Sequence, residues 1–203
     1  MIAIVDYGCG NLGSIKNMIR KIGGEAVITS DSEEIKKADK IILPGVGSFD
    51  TGMNNLKKSG FINVLNEKAF VEKVPVLGIC LGMQLMTKGS EEGVESGLGW
   101  FDAETIKFKF EKGSKNKIPN MGWKNVLQKK SSIYFRDMFE EPRFYFVHSY
   151  YVQSNKSEDI LTTTVYGTEY VSAFEKDNLC GVQFHPEKSH KYGMKLFSNF
   201  LSI

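Results

Sequence analysis

The residues best able to do chemistry in this chain lie in two short stretches, Gly78-Ile79-Cys80-Leu81-Gly82 and His185-Pro186-Glu187. Thiol, imidazole and carboxylate are the groups that thiol-based acyl transfer needs: a nucleophile, a base to take its proton and an anion to orient the base. The first stretch has the form of a nucleophile elbow, with cysteine where hydrolases carry serine. Small residues two before and two after Cys80 let the backbone turn sharply, so that the thiol stands at the tip. The positive end of the following helix favours negative charge there, and its backbone N–H groups could hold an oxyanion. Proline after His185 keeps that residue extended, and in extended chain residues i and i+2 point the same way, which sets Glu187 beside His185. Each piece also has a plainer reading. A cysteine between glycines at a strand end is commonly a packing residue, and a histidine near a turn an ordinary hydrogen-bonded one. Their joint presence favours a Cys80–His185–Glu187 triad.

Such groups need a scaffold. Val74-Pro75-Val76-Leu77 reads as a buried strand leading into the elbow, and Met83-Gln84-Leu85-Met86 as a helix leading out. The first 90 residues alternate throughout: strands are predicted at 2–6, 25–29, 40–43 and 74–79, helices at 12–22, 32–38 and 54–70. This alternation predicts an α/β fold, a mostly parallel, doubly wound sheet flanked by helices. From Gly97 the pattern becomes β-rich, with strands predicted at 105–110, 124–128, 144–147, 150–153, 160–164 and 178–183, and a closing helix at 194–201. No repeat, linker or low-complexity segment interrupts the chain, so a single domain over residues 1–203 is expected. Ligands bind such sheets beyond the carboxyl ends of the strands, where Cys80, Gly45–Gly47 and His185 would converge.

Composition excludes several classes. The 203 residues carry a net charge of +2 with lysines scattered among acids, which does not suggest a nucleic-acid partner. The densest basic stretch, Lys107 to Lys117, contains Glu111 and reads as a solvated hairpin or loop. No apolar run approaches the roughly 18 residues that span a membrane. Met1-Ile2-Ala3-Ile4-Val5-Asp6 reads as a strand rather than a signal peptide. Three widely spaced cysteines argue against a disulfide framework and for a reducing, cytoplasmic setting. No Cys/His spacing suggests zinc, and no metal or cofactor is expected.

One motif points elsewhere. Gly8-Cys9-Gly10-Asn11-Leu12-Gly13 is a literal G-x-G-x-x-G between a strand and a helix, with Asp31 about 20 residues on, the form of a dinucleotide fingerprint. Against it, Asn11 is suited to capping the helix, and nothing downstream resembles hydride-transfer machinery. Pro44-Gly45-Val46-Gly47, a strand-end loop, is either a simple turn or the second half of an oxyanion hole. His148 reads as structural or as a contact to substrate, and His190 as an exposed residue opening the last helix. Cys9 and Cys180 read as packing residues.

With these pieces assembled, the chain resembles the class I, triad-type glutamine amidotransferases. Within that class it is similar to the glutaminase subunits of imidazole glycerol phosphate synthases. The resemblance runs nearly end to end. It is carried by Asp6-Tyr7-Gly8 with Gly10-Asn11-Leu12, Pro44-Gly45-Val46-Gly47, Gly78 to Gln84, Met121-Gly122-Trp123, Tyr145-Phe146-Val147-His148-Ser149-Tyr150 and Gln183 to Ser189. It implies Cys80 as nucleophile, His185 as base and acid, and Glu187 as orienter. The backbone of Val46, Gly47 and Leu81 would form the oxyanion hole. Gln84 and Glu92, one and three helical turns past Cys80, would hold glutamine, with His148, Ser149 and Tyr150 lining the same pocket. Asn11, Met121, Trp123, Tyr145 and Lys188 would face a (β/α)₈ cyclase partner that receives ammonia and makes imidazole glycerol phosphate in histidine biosynthesis. The resemblance also implies that glutamine turnover waits on that partner.

The chain departs from the family pattern at Asn120, where histidine is usual, at His190-Lys191-Tyr192-Gly193, bulkier than the usual run, and at Gly13. All three are expected near the partner face, which leaves a second acceptor open: a paralogous subunit supplying ammonia to amidate a bacterial surface sugar. A stand-alone thiol hydrolase and a nucleotide-binding module remain as other classes.

Overall fold

The computed structural model describes residues 1–203. The strands are β1 (Ile2–Val5), β2 (Ala26–Thr29), β3 (Lys40–Leu43), β4 (Val76–Ile79), β5 (Ala103–Lys107), β6 (Asn120–Asn125), β7 (Leu127–Gln128), β8 (Arg143–His148), β9 (Tyr150–Ser154), β10 (Ile160–Tyr166), β11 (Thr168–Lys176) and β12 (Leu179–Val182). The helices are α1 (Leu12–Lys21), α2 (Ser32–Lys36), α3 (Phe49–Lys58), α4 (Phe61–Asn66), α5 (Leu81–Leu85) and α6 (His190–Leu201).

Every residue of β1, β4 and β12 is buried, which is why these strands read as continuous apolar runs. They lie in a ten-stranded sheet of order β2-β1-β3-β4-β12-β11-β10-β7, parallel from β2 through β12 and antiparallel beyond. β9 also pairs with β11, and β5 with β9. β6 and β8 form a separate ribbon. Alternate residues of one strand feed two cores, Ile2 and Ile4 joining Ile15, Ile19, Leu196 and Phe197, and Ala3 and Val5 joining Ile35, Leu56, Phe61 and Leu81. The expected α/β architecture is therefore present: a mostly parallel sheet, helices on both faces and a β-rich second half.

Three elements differ from expectation. The helical stretch 54–70 begins earlier, at Phe49, because Ser48 accepts the Thr51 N–H as N-cap, and it breaks at Gly60, whose φ of 73° ends α3. The strand expected at 124–128 starts at Asn120, so Met121 and Trp123 belong to β6. β11, the longest strand, was not expected. Its Thr168-Glu169-Tyr170 start reads as polar loop, but Ser172 is buried against Thr162 and its hydroxyl is paired there at 2.8 Å.

The glycine motif at Gly8–Gly13 does not form an open phosphate cradle. Asn11 caps α1 through the Ser14 N–H, and a Cβ on Gly10 would lie 3.4 Å from the Gly45 nitrogen. Asp31 is used as the N-cap of α2, accepting from Glu33 N at 2.9 Å. The motif is a packing device that lays the first loop on the Pro44–Gly47 loop.

Candidate active site

β4 and β12 are neighbours in parallel register, so the residues just beyond them, Cys80 and Gln183 with His185, emerge side by side at the carboxyl edge. Cys80 N–H donates to Val182 O at 2.8 Å, which locks the two strand ends together. Cys80 itself takes φ 54°, ψ −107°, a left-handed conformation that an L-residue tolerates only when its surroundings enforce it. The glycines explain how. A Cβ on Gly82 would lie 1.8 Å from Leu43 O, and one on Gly78 would lie 2.8 Å from Met86 Cε and 2.9 Å from Met83 N. Only glycine lets α5 start this close to β3 and β4, and that tight start is the elbow.

His185 is 2% exposed, and its N–H is held by Tyr145 O at 2.9 Å. Its Nδ1–H donates to Glu187 Oε1 at 2.7 Å, with both side chains buried. His185 itself is extended as expected, at φ −102° and ψ 94°, but residues 186–188 form a 3₁₀ turn, and it is this turn rather than an extended i, i+2 alternation that brings Glu187 to the ring. Ser189 clamps the turn, donating from Oγ to His185 O at 2.6 Å and accepting from Tyr145 N at 3.0 Å. The outer nitrogen, His185 Nε2, is buried and has no hydrogen-bond partner. Burial pushes the imidazole down, but Cys80 and Glu187 outweigh it and raise His185 to about 10, so the imidazolium is favoured.

A cavity of about 340 Å³ opens over the thiol, a size suited to a small metabolite. Its lining includes Cys80, Val46, Gly47, Leu81, Gln84, Glu92, His148, Ser149 and Tyr150, that is, every residue expected to supply the oxyanion hole or hold substrate. A larger groove of about 730 Å³, between β6, β7, β10 and segment 135–142, holds carboxylates but no cysteine or histidine. No cluster of His, Cys, Asp and Glu side chains could hold a metal ion.

Several residues reach the cavity in unexpected ways. α5 ends at Leu85, so Glu92 does not sit three turns along a helix. It arrives on a loop, and its Oε2 accepts the Phe49 N–H at 2.8 Å, next to the Pro44–Gly47 loop. Leu81 N–H, expected as an oxyanion donor, is turned to Gly45 O at 3.3 Å. His148 Nδ1–H donates to Tyr150 O at 2.7 Å, which makes Nε2 the acceptor, and Asn120 Nδ2 lies 3.0 Å from it. Burial lowers His148 to about 4, so it stands in the cavity as a neutral ring. Asn120 is completely buried on Tyr170 and His148 rather than at a surface, and it supports the cavity wall.

The residues expected at a partner face form a contiguous patch beside the site. Met121 and Trp123 are exposed on β6, and Trp123 pairs across the ribbon with Tyr145. Lys188 lies 5.8 Å over the Tyr145 ring, and His190 stacks flat on Trp123 at 5.6 Å. Asn11 is exposed at the start of α1, the helix that packs on the 186–188 turn. Gly193 is required beneath this patch, since a Cβ there would lie 1.8 Å from Pro186 O.

One residue of the site carried no expected role. Gln183 is fully buried, with its amide against Cys80. It stands two residues before His185, so the alternation of an extended strand would have aimed both at the thiol.

The chain is similar to known proteins along its whole length. The family model of class I glutamine amidotransferases matches residues 3–203. The chain is 59% identical over 201 residues to "Imidazole glycerol phosphate synthase subunit HisH 2" of Methanococcus maripaludis, covering 99% of this chain and 98% of the relative. It is 45% identical to the protein of the same name in Pseudomonas aeruginosa, over the full length of both. A solved glutamine amidotransferase shares the fold at a TM-score of 0.75 and 16% identity, covering all of this chain and 98% of the other. A thiol held on a strained elbow beside a His–Glu pair, and a family match running from the third residue to the last, together place this chain in the class I glutamine amidotransferase family.

Proposed function

We propose that this chain is the glutaminase subunit of an imidazole glycerol phosphate synthase, acting in the cytoplasm and handing ammonia to a (β/α)₈ cyclase subunit in histidine biosynthesis. The observation that carries this reading is the single cavity over Cys80, which Val46, Gly47, Leu81, Gln84, Glu92 and His148 to Tyr150 all line together with the thiol. Near full-length identity of 59% to a named synthase subunit supports it.

In this mechanism His185 takes the Cys80 proton, and the thiolate attacks the side-chain amide carbon of glutamine. Backbone N–H groups of Leu81 and of the Val46-Gly47 loop receive the oxyanion. His185 then protonates the amide nitrogen, the C–N bond breaks and ammonia leaves, with a γ-glutamyl thioester remaining on Cys80. Water, deprotonated by His185, attacks the thioester and releases glutamate, and the proton returns to the sulfur. Glu187 keeps the Nδ1–H in place through both proton transfers.

Ammonia in bulk water would be protonated and lost, which requires a sealed path into the partner. The Met121, Trp123, Tyr145, Lys188 and Asn11 patch is where we put that partner. The Leu81 N–H on Gly45 O fits a site held off until the partner is engaged, because one oxyanion donor is occupied. The test is glutamate release by the purified chain, alone and with the cyclase and its nucleotide substrate, with Cys80→Ala alongside. Activation by the cyclase that the substitution abolishes is the expected result. Cys80-dependent release indifferent to the cyclase would assign another ammonia acceptor, and no release under any condition would overturn the triad.

A further inference from the structure

Gln183 is the one polar side chain against the nucleophile that the mechanism above leaves unused. Its backbone is fixed by a 2.8 Å bond from its N–H to Ser172 O, one residue past β12. Its side-chain amide is fixed as well. Gln84 Nε2 donates to Tyr150 O at 3.2 Å and to Gln183 Oε1 at 2.9 Å, so both its protons are committed. With Oε1 occupied as an acceptor, Gln183 turns its Nε2 to Cys80 Sγ at 3.7 Å. A flipped amide would set two NH₂ groups face to face and leave the sulfur beside a carbonyl oxygen, so the relay has one orientation only.

We propose that Gln183 is a hydrogen-bond donor to the nucleophile, holding the Cys80 thiolate in line with the cavity and His185 while Gln84 fixes the direction of the donor. A hydrogen bond to an ionised group is worth roughly twice a neutral one, and here the acceptor charge exists only while Cys80 is ready to attack. The contact therefore stabilises the reactive form, and it couples the substrate pocket to the sulfur through Gln84. The titratable groups around Cys80 are His185 with Glu187 behind it, His148 next to His185, and Tyr7, on which Cys80 and Cys9 both act. Of these, His185 also acts on Cys80, and Gln183 is the donor to Sγ that lies outside the triad.

The proposal rests on Cys80 being the nucleophile of the proposed glutaminase, and its test does not need glutamine. The rate of Cys80 alkylation by iodoacetamide is measured at pH 7 in the unmutated chain, in Gln183→Met and in Gln183→Glu, with Cys80→Ser identifying the labelled thiol. Methionine keeps the volume and removes the donor; glutamate keeps the acceptor for Gln84 and removes the donor. Both should alkylate about tenfold more slowly, since the thiolate is the reacting form. With the cyclase present, kcat for glutamine should fall while KM stays within about twofold, the split expected of a group that acts on the nucleophile. Where a variant does not fold, the unmutated chain gives a second reading: the Gln183 side-chain amide protons should shift in an ¹⁵N–¹H spectrum with the same pH midpoint as alkylation. Unchanged alkylation in both folded variants, or an amide signal indifferent to that midpoint, overturns the proposal. A chain that never releases glutamate yet shows Gln183-dependent alkylation would overturn the glutaminase reading and leave this one standing.

Discussion

Leu81 N–H donates to Gly45 O at 3.3 Å, so the elbow and the neighbouring loop satisfy each other across the place where an oxyanion would form. The contact is sustained by close packing, since a Cβ on Gly45 would lie 2.5 Å from Tyr7 Oη and 2.9 Å from Leu81 Cβ. Tyr7 in turn donates its hydroxyl proton to Pro44 O, tying the loop to the end of β1. The proposed mechanism needs the Leu81 donor elsewhere. In the complex with the cyclase, and with a glutamine-derived aldehyde bound to Cys80, the Leu81 nitrogen should move beyond about 3.5 Å from Gly45 O, the limit of a hydrogen bond. A crystal structure of the adduct measures this distance. An unchanged contact in an adduct-loaded, active complex would remove Leu81 from the oxyanion hole.

The strain at Cys80 predicts an inverted stability order. Removing a buried side chain usually costs more the further it is cut back, so alanine is normally better tolerated than glycine. At φ 54° alanine retains the strain and glycine relieves it. Cys80→Gly should therefore unfold at higher urea than Cys80→Ala, by about 1 kcal/mol, while both lose glutamate release. The reverse order would mean that the elbow relaxes once the sulfur is gone.

Much of this site is written locally in the chain. The glycines at 78 and 82 announced the elbow because their spacing around Cys80 is itself the motif, although the atom that excludes a Cβ at Gly82 is Leu43 O on β3, and the apolar runs at 76–79 and 179–182 announced two central strands because both faces of each are buried. What escaped depends on partners far away in sequence. β11 is held by pairing with β10, β12 and β9, and its polar start gave no strand signal. Glu92 reaches the cavity through a loop pinned by Asp50, which accepts from Val94 N and Glu95 N and leaves no room for a Cβ on Gly93. Gln183 showed its alternation with His185 but not its pairing with Gln84, which spans 99 residues.

Glu187→Gln should weaken the protein most on the acid side of its range. His185 is raised in the folded chain from about 6.5 to about 10, so its contribution is full below 6.5 and is lost as pH climbs toward 10. Removing the carboxylate lowers the folded value, so the stability gap between parent and variant should be largest near pH 6 and shrink toward pH 10. Urea unfolding at three pH values measures it. A gap that widens with pH would mean that Glu187 does not stabilise the imidazolium.

His148 acts with the opposite sign. Held neutral down to about pH 4, it leaves the unfolded chain with an extra proton between about 6.5 and 4, so stability falls as pH falls through that window. The loss attributable to this ring is on the order of 3 kcal/mol. His148→Gln should flatten the acid limb of the stability curve and raise KM for glutamine, because the ring also lines the cavity. An acid limb as steep as the parent's would place its cause in other groups.

Two glycine-to-alanine substitutions separate packing from partner contact. Gly82→Ala puts a methyl group within 1.8 Å of the Leu43 carbonyl, a backbone atom that cannot swing aside. The elbow must open or α5 must move off β3, and the substitution should cost more than about 3 kcal/mol and abolish glutamate release. Gly13, in the first turn of α1, has open space for 4 Å around the point a methyl group would occupy, and no positive φ. Gly13→Ala should be neutral or stabilise the isolated chain by up to about 1 kcal/mol through helix propensity. Because Gly13 lies two residues from exposed Asn11, any effect it has should emerge only with the partner, as a change in cyclase affinity. Thermal unfolding of the free chain and titration with the cyclase read the two effects separately. A destabilised Gly13→Ala with unchanged cyclase binding would show that this loop serves the fold alone.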